Sequence, residues 1–250
     1  MSRLKGAVKR FEDKGEVTEI GFLDENYIFI AQKYFQSLGF CEYTFESSWG
    51  DATRMFLSVG TYYNEQLSFA YLRFSPDKFH APSHRDYMGA LMSLGIDRKM
   101  FGDLIVTNNS VAFLSVWDKG DIVSYLMNEF LACGRAKLKC ERVDVSSFDA
   151  LQLQYEKREI IVSSLRADCI VSSLAGVSRS QAKGIVENGD FKISSSAVFE
   201  PDRVLVPSEV FSLRGYGKYR LSEIIGQTRK ERIRIELLKF GNYIEREKML

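Results

Sequence analysis

Apolar positions along the chain switch between two periods, and the switches mark its elements. From Asp24 to Leu38 (DENYIFIAQKYFQSL) they return every three or four residues, which predicts a helix that Gly39 stops. Three extended runs follow: FCEYTF (40–45), RMFLSV (54–59) and LSFAYLRF (67–74). Each is rich in aromatic or β-branched residues and is set off by Gly, Asp and Asn, so together they predict a small α+β unit ending near the Pro76 to Pro82 connection. A second block opens with SHRDYMGALMSLG, where Ser83 caps a helix and Gly95 ends it. Strands are expected near 103–107 and 111–117, joined by Asn108-Asn109, then a helix over 119–131 and strands near 136–144 and 153–162. From Leu165 onward the pattern predicts helices at 166–174 and 179–187. Short strands should follow at 191–193, 203–206, 210–213, 218–223 and 231–238. The expected division is 1–80, 81–163 and 164–240, with a tail at 241–250.

Composition narrows the class. At 250 residues, 45% hydrophobic and 27% charged, the chain is ordinary globular material. No apolar run reaches the ~18 residues of a membrane span, and residues 1–20 lack the apolar core of a signal peptide, so a cytoplasmic protein is expected. Cys41, Cys133, Cys140 and Cys169 form no CxxC pair. The two histidines, His80 and His84, stand far in sequence from three of them, so neither a zinc site nor a disulfide scaffold is expected.

Net charge is only +1, but it is unevenly spread. Residues 1–164 hold 19 Lys+Arg against 22 Asp+Glu, whereas 165–240 hold 13 against 9, and 214–239 alone hold 8 against 3. A local basic surface on a near-neutral chain suits docking on phosphate in one orientation.

The stretch GVSRSQAKGIVENGDFKI (176–193) focuses that idea. Ser178 stands three residues before Gln181, the spacing of a capping box, and Asn188-Gly189 closes the helix. Arg179 and Lys183 share one helical face, while Ala182, Ile185 and Val186 lie toward the other; Lys192 follows in a strand. Such a corner can gather three cations and the free N–H groups of a helix start, with Ser178 and Ser180 beside them, into a phosphate site. Taken alone, the same residues also describe a capped helix with a solvated basic face.

From Leu165 to about Ser222 the chain resembles the S4 RNA-binding domain. Arg166 and Asp168 stand at its first-helix Arg-x-Asp, Ser178-Arg179 with Ala182 lie in its second helix, and Gly189 with Lys192-Ile193 occupy the matching turn. It departs from the family at Ser194-Ser195-Ser196 and at Ser208-Glu209, both in turns. SHRDYMGALMSLGIDRKMFGDLIV (83–106), RGYGKYRL (214–221) and the order of the modules resemble the bacterial YlmH family along nearly the whole length. The implied fold is α+β: two small α/β modules, the second RRM-like, followed by a C-terminal S4 (αL-type) domain. The implied function is that of a non-enzymatic factor without cofactor. It binds ribosomal RNA of the large subunit together with tRNA or peptidyl-tRNA on stalled subunits, in ribosome-associated quality control, with a tail-adding factor on the same particle.

Other stretches carry competing readings. Arg214-Gly215-Tyr216-Gly217 matches the first four positions of an RNP1 motif, but Lys218, Tyr219, Arg220 and Leu221 do not continue it. A Gly-rich turn between strands is expected there, with Tyr216 exposed and Arg214, Lys218 and Arg220 on the basic surface. In RKERIRIEL, alternation puts Lys230, Arg232 and Arg234 on one face of a strand and Ile233 and Ile235 on the other, either solvated or in phosphate contact. His84, Arg85, Asp86, Arg98 and Asp103 suggest a catalytic cluster, yet Asp86 and Asp97 sit where carboxylates stabilise helix starts. An S4-type RNA-modifying enzyme is the competing function. Gly134-Arg135-Ala136-Lys137 lacks the aspartate of the pseudouridine synthase motif, and no P-loop, nucleophile elbow or dinucleotide fingerprint occurs. A ribosome-maturation factor is the third reading.

Overall fold

The computed structural model describes residues 2–50, 52–60, 67–193 and 196–245. The chain divides into two compact units, Met1–Gln152 with Tyr243–Leu250, and Leu153–Asn242.

The first unit begins with α1 (Ser2–Lys14), β1 (Thr18–Leu23), α2 (Glu25–Leu38), β2 (Tyr43–Ser47) and β3 (Met55–Val59), the strands pairing in the order β1-β3-β2. Asp24 accepts the Tyr27 N–H at 3.0 Å and so starts α2, and Gly39, at φ 64°, ends it. Leu4, Ala7 and Val8 of α1 and Ala31 and Phe35 of α2 bury themselves on Ile20, Leu57 and Val59. The opposite face of this sheet presents Phe22 and Phe56.

Next come β4 (Phe69–Pro76), α3 (His84–Ser93), β5 (Phe101–Val106), β6 (Ala112–Trp117), α4 (Ile122–Glu129), the short β7 (Ala132–Cys133), β8 (Ala136–Val143) and α5 (Ser146–Asp149). The strands pair as β5-β6-β4-β8-β7, every neighbour antiparallel. Strand, helix, two strands, helix, strand, in this order, is the split βαβ arrangement. Alternation sends Ala70, Leu72 and Phe74, with Ala112, Leu114 and Val116, toward Tyr87 and Leu91 of α3 and Leu126 of α4.

In the second unit β9 (Leu151–Val162), α6 (Ala167–Ala175), α7 (Arg179–Glu187), β10 (Phe191–Ile193), β11 (Ser196–Ala197), β12 (Val210–Leu213), β13 (Gly217–Gln227) and β14 (Ile233–Glu245) form a sheet in the order β11-β10-β12-β13-β14-β9. The helix pair covers one face through Ile170, Val171, Leu174, Ala182 and Val186, which meet Phe211, Leu213, Tyr219, Leu221, Ile235 and Leu237. The opposite face carries the intervening residues of each strand.

Several expectations change. The run at 67–74, read as the last strand of the first module, is β4, at the centre of the five-stranded sheet; the run at 153–162, read as closing the second module, is β9 and pairs with β14. Hydrophobic alternation shows that a strand is buried but not which strand it pairs with. Residues 203–206 form no strand; Val204 makes one isolated bridge to Arg166. Residues 241–245, expected in a tail, continue β14, and Tyr243 packs with Ile105 and Phe113; 246–250 lie outside the described residues, as do Ser194 and Ser195.

Candidate nucleic-acid interface

The two helices of the second unit meet at a charged edge organised by one carboxylate. Asp168, in the first turn of α6, is only 5% exposed. Its Oδ1 accepts Arg166 Nε at 3.1 Å, and its Oδ2 accepts both Arg166 Nη2 at 3.2 Å and Arg179 Nη2 at 3.1 Å. Burial alone pushes the Asp168 pKa up, but hydrogen bonds from Arg166 and Arg179 outweigh it and hold the carboxyl below its usual range. The guanidinium groups themselves stay partly open to solvent. A buried anion that fixes two half-exposed cations leaves donors free and lowers the ordering cost of using them.

Around this pair the helix start is built as the sequence suggests. Ser178 N–H donates to Gln181 Oε1 at 3.0 Å, and Gln181 N–H donates to Ser178 Oγ at 3.3 Å. Ser180 and Lys183 are exposed, and Lys183 approaches Glu187 only loosely, at 3.8 Å. Lys192 is not part of this edge. It lines a separate groove with Asn188, Gly189, Ser212, Arg214 and Gly217, at the far end of α7. Nine helical residues, about 13 Å, separate that end from Arg179, so the expected corner of three cations is two sites. Gly189, at φ +75°, is required there, because a Cβ would lie 2.9 Å from the Phe199 ring. Arg214 pairs with Asp190 at 3.2 Å and is otherwise exposed.

The uncovered face of the six-stranded sheet continues the basic surface. Lys192 pairs across to Ser212, and Ser212 to Lys218. The Lys218 ammonium lies 5.1 Å from the centre of the Phe240 ring, and the Arg220 guanidinium lies 5.6 Å from Phe240 and 5.7 Å from Tyr155. Tyr155 and Phe240 themselves meet edge to face at 5.2 Å. A row of cations over aromatic rings is the arrangement that stacks unpaired bases. The sequence reading found Lys218 and Arg220 but missed both aromatics. Their strands are far apart in sequence, and no local signal joins them.

The remaining cations are placed differently than expected. Lys230 and Arg232 lie in the β13–β14 turn, not in a strand. That turn is closed by Thr228 N–H to Arg232 O at 2.8 Å and Glu231 N–H to Thr228 O at 2.9 Å. Glu231 adopts φ 59°, which ends the extended pattern that alternation implied. Arg234 does lie on the outer face of β14, where its Nε donates to Glu159 at 2.7 Å. In RGYGKYRL, residues 214–216 form the turn between β12 and β13 and the rest begins β13, with Tyr216 exposed and Tyr219 buried.

Of the residues that suggested catalysis, Asp86, Arg98 and Asp103 carry structural bonds, while Arg85 is exposed. Asp86 accepts Ser83 N–H at 2.8 Å and Oγ at 2.7 Å. Arg98 donates to the carbonyls of Phe101 and Gly102, and burial, then the neighbouring Arg54, push its pKa down to about 10. Asp103 accepts from Trp49 Nε1 at 3.2 Å, Thr53 N–H at 2.9 Å and Thr53 Oγ1 at 2.5 Å. Burial lowers the pKa of His84, and Arg98 lowers it further. Among the described residues no cluster of His, Cys, Asp or Glu could hold a metal ion, and no helix is long and apolar enough to cross a membrane.

The sheet face of the middle module is closed. Phe113 and Tyr71 pack on Trp49 and Phe148, and Phe69 and Trp117 pack on Phe22 and Phe56. Ser48 Oγ donates to Ser115 Oγ at 3.1 Å, and Arg54 bonds to the carbonyls of Phe22 and Phe101. A Cβ on Gly102 would run into Ser115 Oγ and lie 3.0 Å from the Phe22 ring, so the two sheets approach this closely because that position is glycine.

With this geometry in place, comparison with known proteins is direct. Residues 65–147, which hold the whole split βαβ module, match the family described as "Putative RNA-binding domain in YlmH". That match covers about a third of the chain. It is 31% identical over 159 residues to "Ribosome-associated protein quality control protein P2" of Bacillus subtilis (strain 168), an alignment covering 64% of this chain. It spans 61% of the length of that curated relative. Among solved structures, "Cell division protein ylmH from Streptococcus pneumoniae" aligns with a TM-score of 0.48 at 12% identity, covering 58% of this chain and 89% of that one.

Proposed function

We propose that this chain is a cytoplasmic, non-catalytic RNA-binding factor of ribosome-associated quality control, docking on large ribosomal subunits that still carry peptidyl-tRNA. In this reading residues 164–240 act as an S4-type domain. The edge formed by Arg166, Arg179, Ser180 and Lys183 grips phosphates of one RNA, and the sheet face bearing Lys192, Lys218 and Arg220 meets another, one being ribosomal RNA and the other tRNA. Arg214, Lys230 and Arg232 add to the field, and Arg234 contributes if Glu159 releases it. The middle module is RRM-like in strand order, and a tail-adding factor shares the particle. The observation that carries the proposal is the buried Asp168 holding two partly exposed arginines at the start of a capped helix. It is supported by the relative whose printed name places it in ribosome-associated quality control.

Phosphate neutralisation releases counterions, so affinity should fall linearly with salt on logarithmic axes. Four or more phosphate contacts predict a slope of roughly −3 or steeper. Sedimentation with purified large subunits across a salt series measures it. A slope near zero would mean that protein contacts, not RNA, carry the binding.

A further inference from the structure

An RNA-binding module whose sheet face is covered needs another surface. Phe113 and Trp117, on β6 next to the central strand of that face, are 2% and 6% exposed, so bases cannot stack there without unpacking the unit.

The module's cations divide into two sets. Arg73 pairs with Glu141 at 3.6 Å, Arg142 with Asp118 at 3.0 Å, and Lys139 and Lys119 also have carboxylate partners. Lys78, Arg85, Arg135 and Lys137 are exposed and have no ion-pair partner among the described residues. Three of them gather in one place, on the 77–82 connection (Lys78), the first turn of α3 (Arg85) and the Gly134-Arg135 turn of the β7–β8 hairpin, whereas Lys137 alternates with the buried Ala136 and Leu138 and leaves from the other face of the sheet. His80, Arg85, Gly89, Ala90, Cys133 and Arg135 line a groove there.

The connection is held in shape. Asp77 accepts Phe79 N–H at 3.0 Å and Lys137 N–H at 2.8 Å, and its Oδ1 lies 2.8 Å from His80 Nδ1. Asp77 N–H donates to Lys137 O at 2.9 Å, which ties the loop to the start of β8. On this pinned turn Phe79 stands 80% exposed, with the Lys78 ammonium 5.2 Å from its ring centre. The two acids of the patch are already engaged, Asp77 by the turn and Asp86 by the Ser83 cap. An aromatic ring left bare on a fixed loop, with Lys78, Arg85 and Arg135 and a groove floored by small residues around that loop, fits the π-face and backbone of an unpaired nucleotide strand.

Resting on the reading of the chain as an RNA-binding factor, we propose that the middle module binds unpaired RNA through this patch, with Phe79 stacking on a base and Arg85 and Arg135 holding the flanking phosphates. The site lies on the opposite side of the module from the closed sheet face and is separate from the Asp168 edge.

The test is fluorescence anisotropy of the full chain with a labelled oligouridylate at fixed low salt, in a Lys218→Ala, Arg220→Ala background that removes the cations of the other surface suited to unpaired bases. One stacked base is worth about 1–3 kcal/mol, so Phe79→Ala should weaken binding at least about fivefold, and Phe79→Trp should restore it. Arg85→Glu with Arg135→Glu should weaken it at least about tenfold. All three side chains are exposed, so the variants should fold as the parent does. Unchanged affinity in Phe79→Ala would overturn the proposal. So would a parent that binds poly-glutamate but not oligouridylate, which would assign the patch to an acidic protein segment. Neither result bears on large-subunit docking through the Asp168 edge, which is read by sedimentation and by variants of Asp168 and Arg179.

Discussion

Removing the charges of the α6–α7 edge together, as Arg166→Gln, Asp168→Asn and Arg179→Gln, should weaken binding to large subunits at least about 100-fold while the chain remains folded. Two charge-assisted contacts at roughly 1.5–3 kcal/mol each account for that loss, and each 1.4 kcal/mol is tenfold. The triple substitution is chosen for a structural reason. Arg179→Glu alone would put a second carboxylate against the buried Asp168 oxygen that Arg179 now satisfies, and would mix destabilisation into the result. Replacing all three leaves neutral groups of similar size that can still hydrogen-bond. Because the residues share one network, the single effects should not sum. Sedimentation of the variant with purified subunits, alongside its circular dichroism, checks both halves; unchanged binding would return this edge to a solvated helix face.

The second large effect concerns the closed face of the middle module. Asp103→Ala should destabilise the first unit by roughly 3–5 kcal/mol, because a buried carboxylate that accepts from Trp49 and twice from Thr53 is lost and those donors are left without partners. Asp103→Asn keeps an acceptor oxygen and should cost about half as much. Both tryptophans, Trp49 and Trp117, lie in this unit, so their fluorescence during urea unfolding reports on it directly. A shift in midpoint below that expected for about 1 kcal/mol would mean that aromatic packing, and not Asp103, holds the two sheets together.

Local signals were legible where they are self-contained. The Gly39 stop, the Ser83 and Ser178 capping boxes and the Asn188-Gly189 turn each depend on residues within a few positions, and each forms. Residues 2–23 suggested no element, although they form α1 and β1. The buried stripe of α1 is only Leu4, Ala7 and Val8 among cations, and β1 is interrupted by Gly21, where a Cβ would strike the Lys99 backbone at 2.8 Å. Nothing local states that β4 pairs with β6 and β8, since those partners come from elsewhere in the chain. The same limit applies to the site. Asp168 stood out as half of an Arg-x-Asp pair, but its grip on Arg179 exists only once α6 packs on α7. Tyr155 and Phe240 become a pair only across β9 and β14. Phe79 fell within the Pro76 to Pro82 connection and carried no signal of its own, because its exposure is a property of the folded surface.

The central claim is recognition of a large subunit that still holds peptidyl-tRNA. Two modest RNA contacts on one small unit gain from each other when both targets are present on the same particle. The direct measurement is competition binding of the full chain among tRNA-loaded large subunits, empty large subunits and complete ribosomes at fixed salt. The account predicts preference for the loaded subunit by at least about tenfold, with no modified nucleotide in the recovered RNA. Equal affinity for empty and loaded subunits would contradict it and favour a maturation factor, and a modified nucleotide would contradict it in favour of an RNA-modifying enzyme.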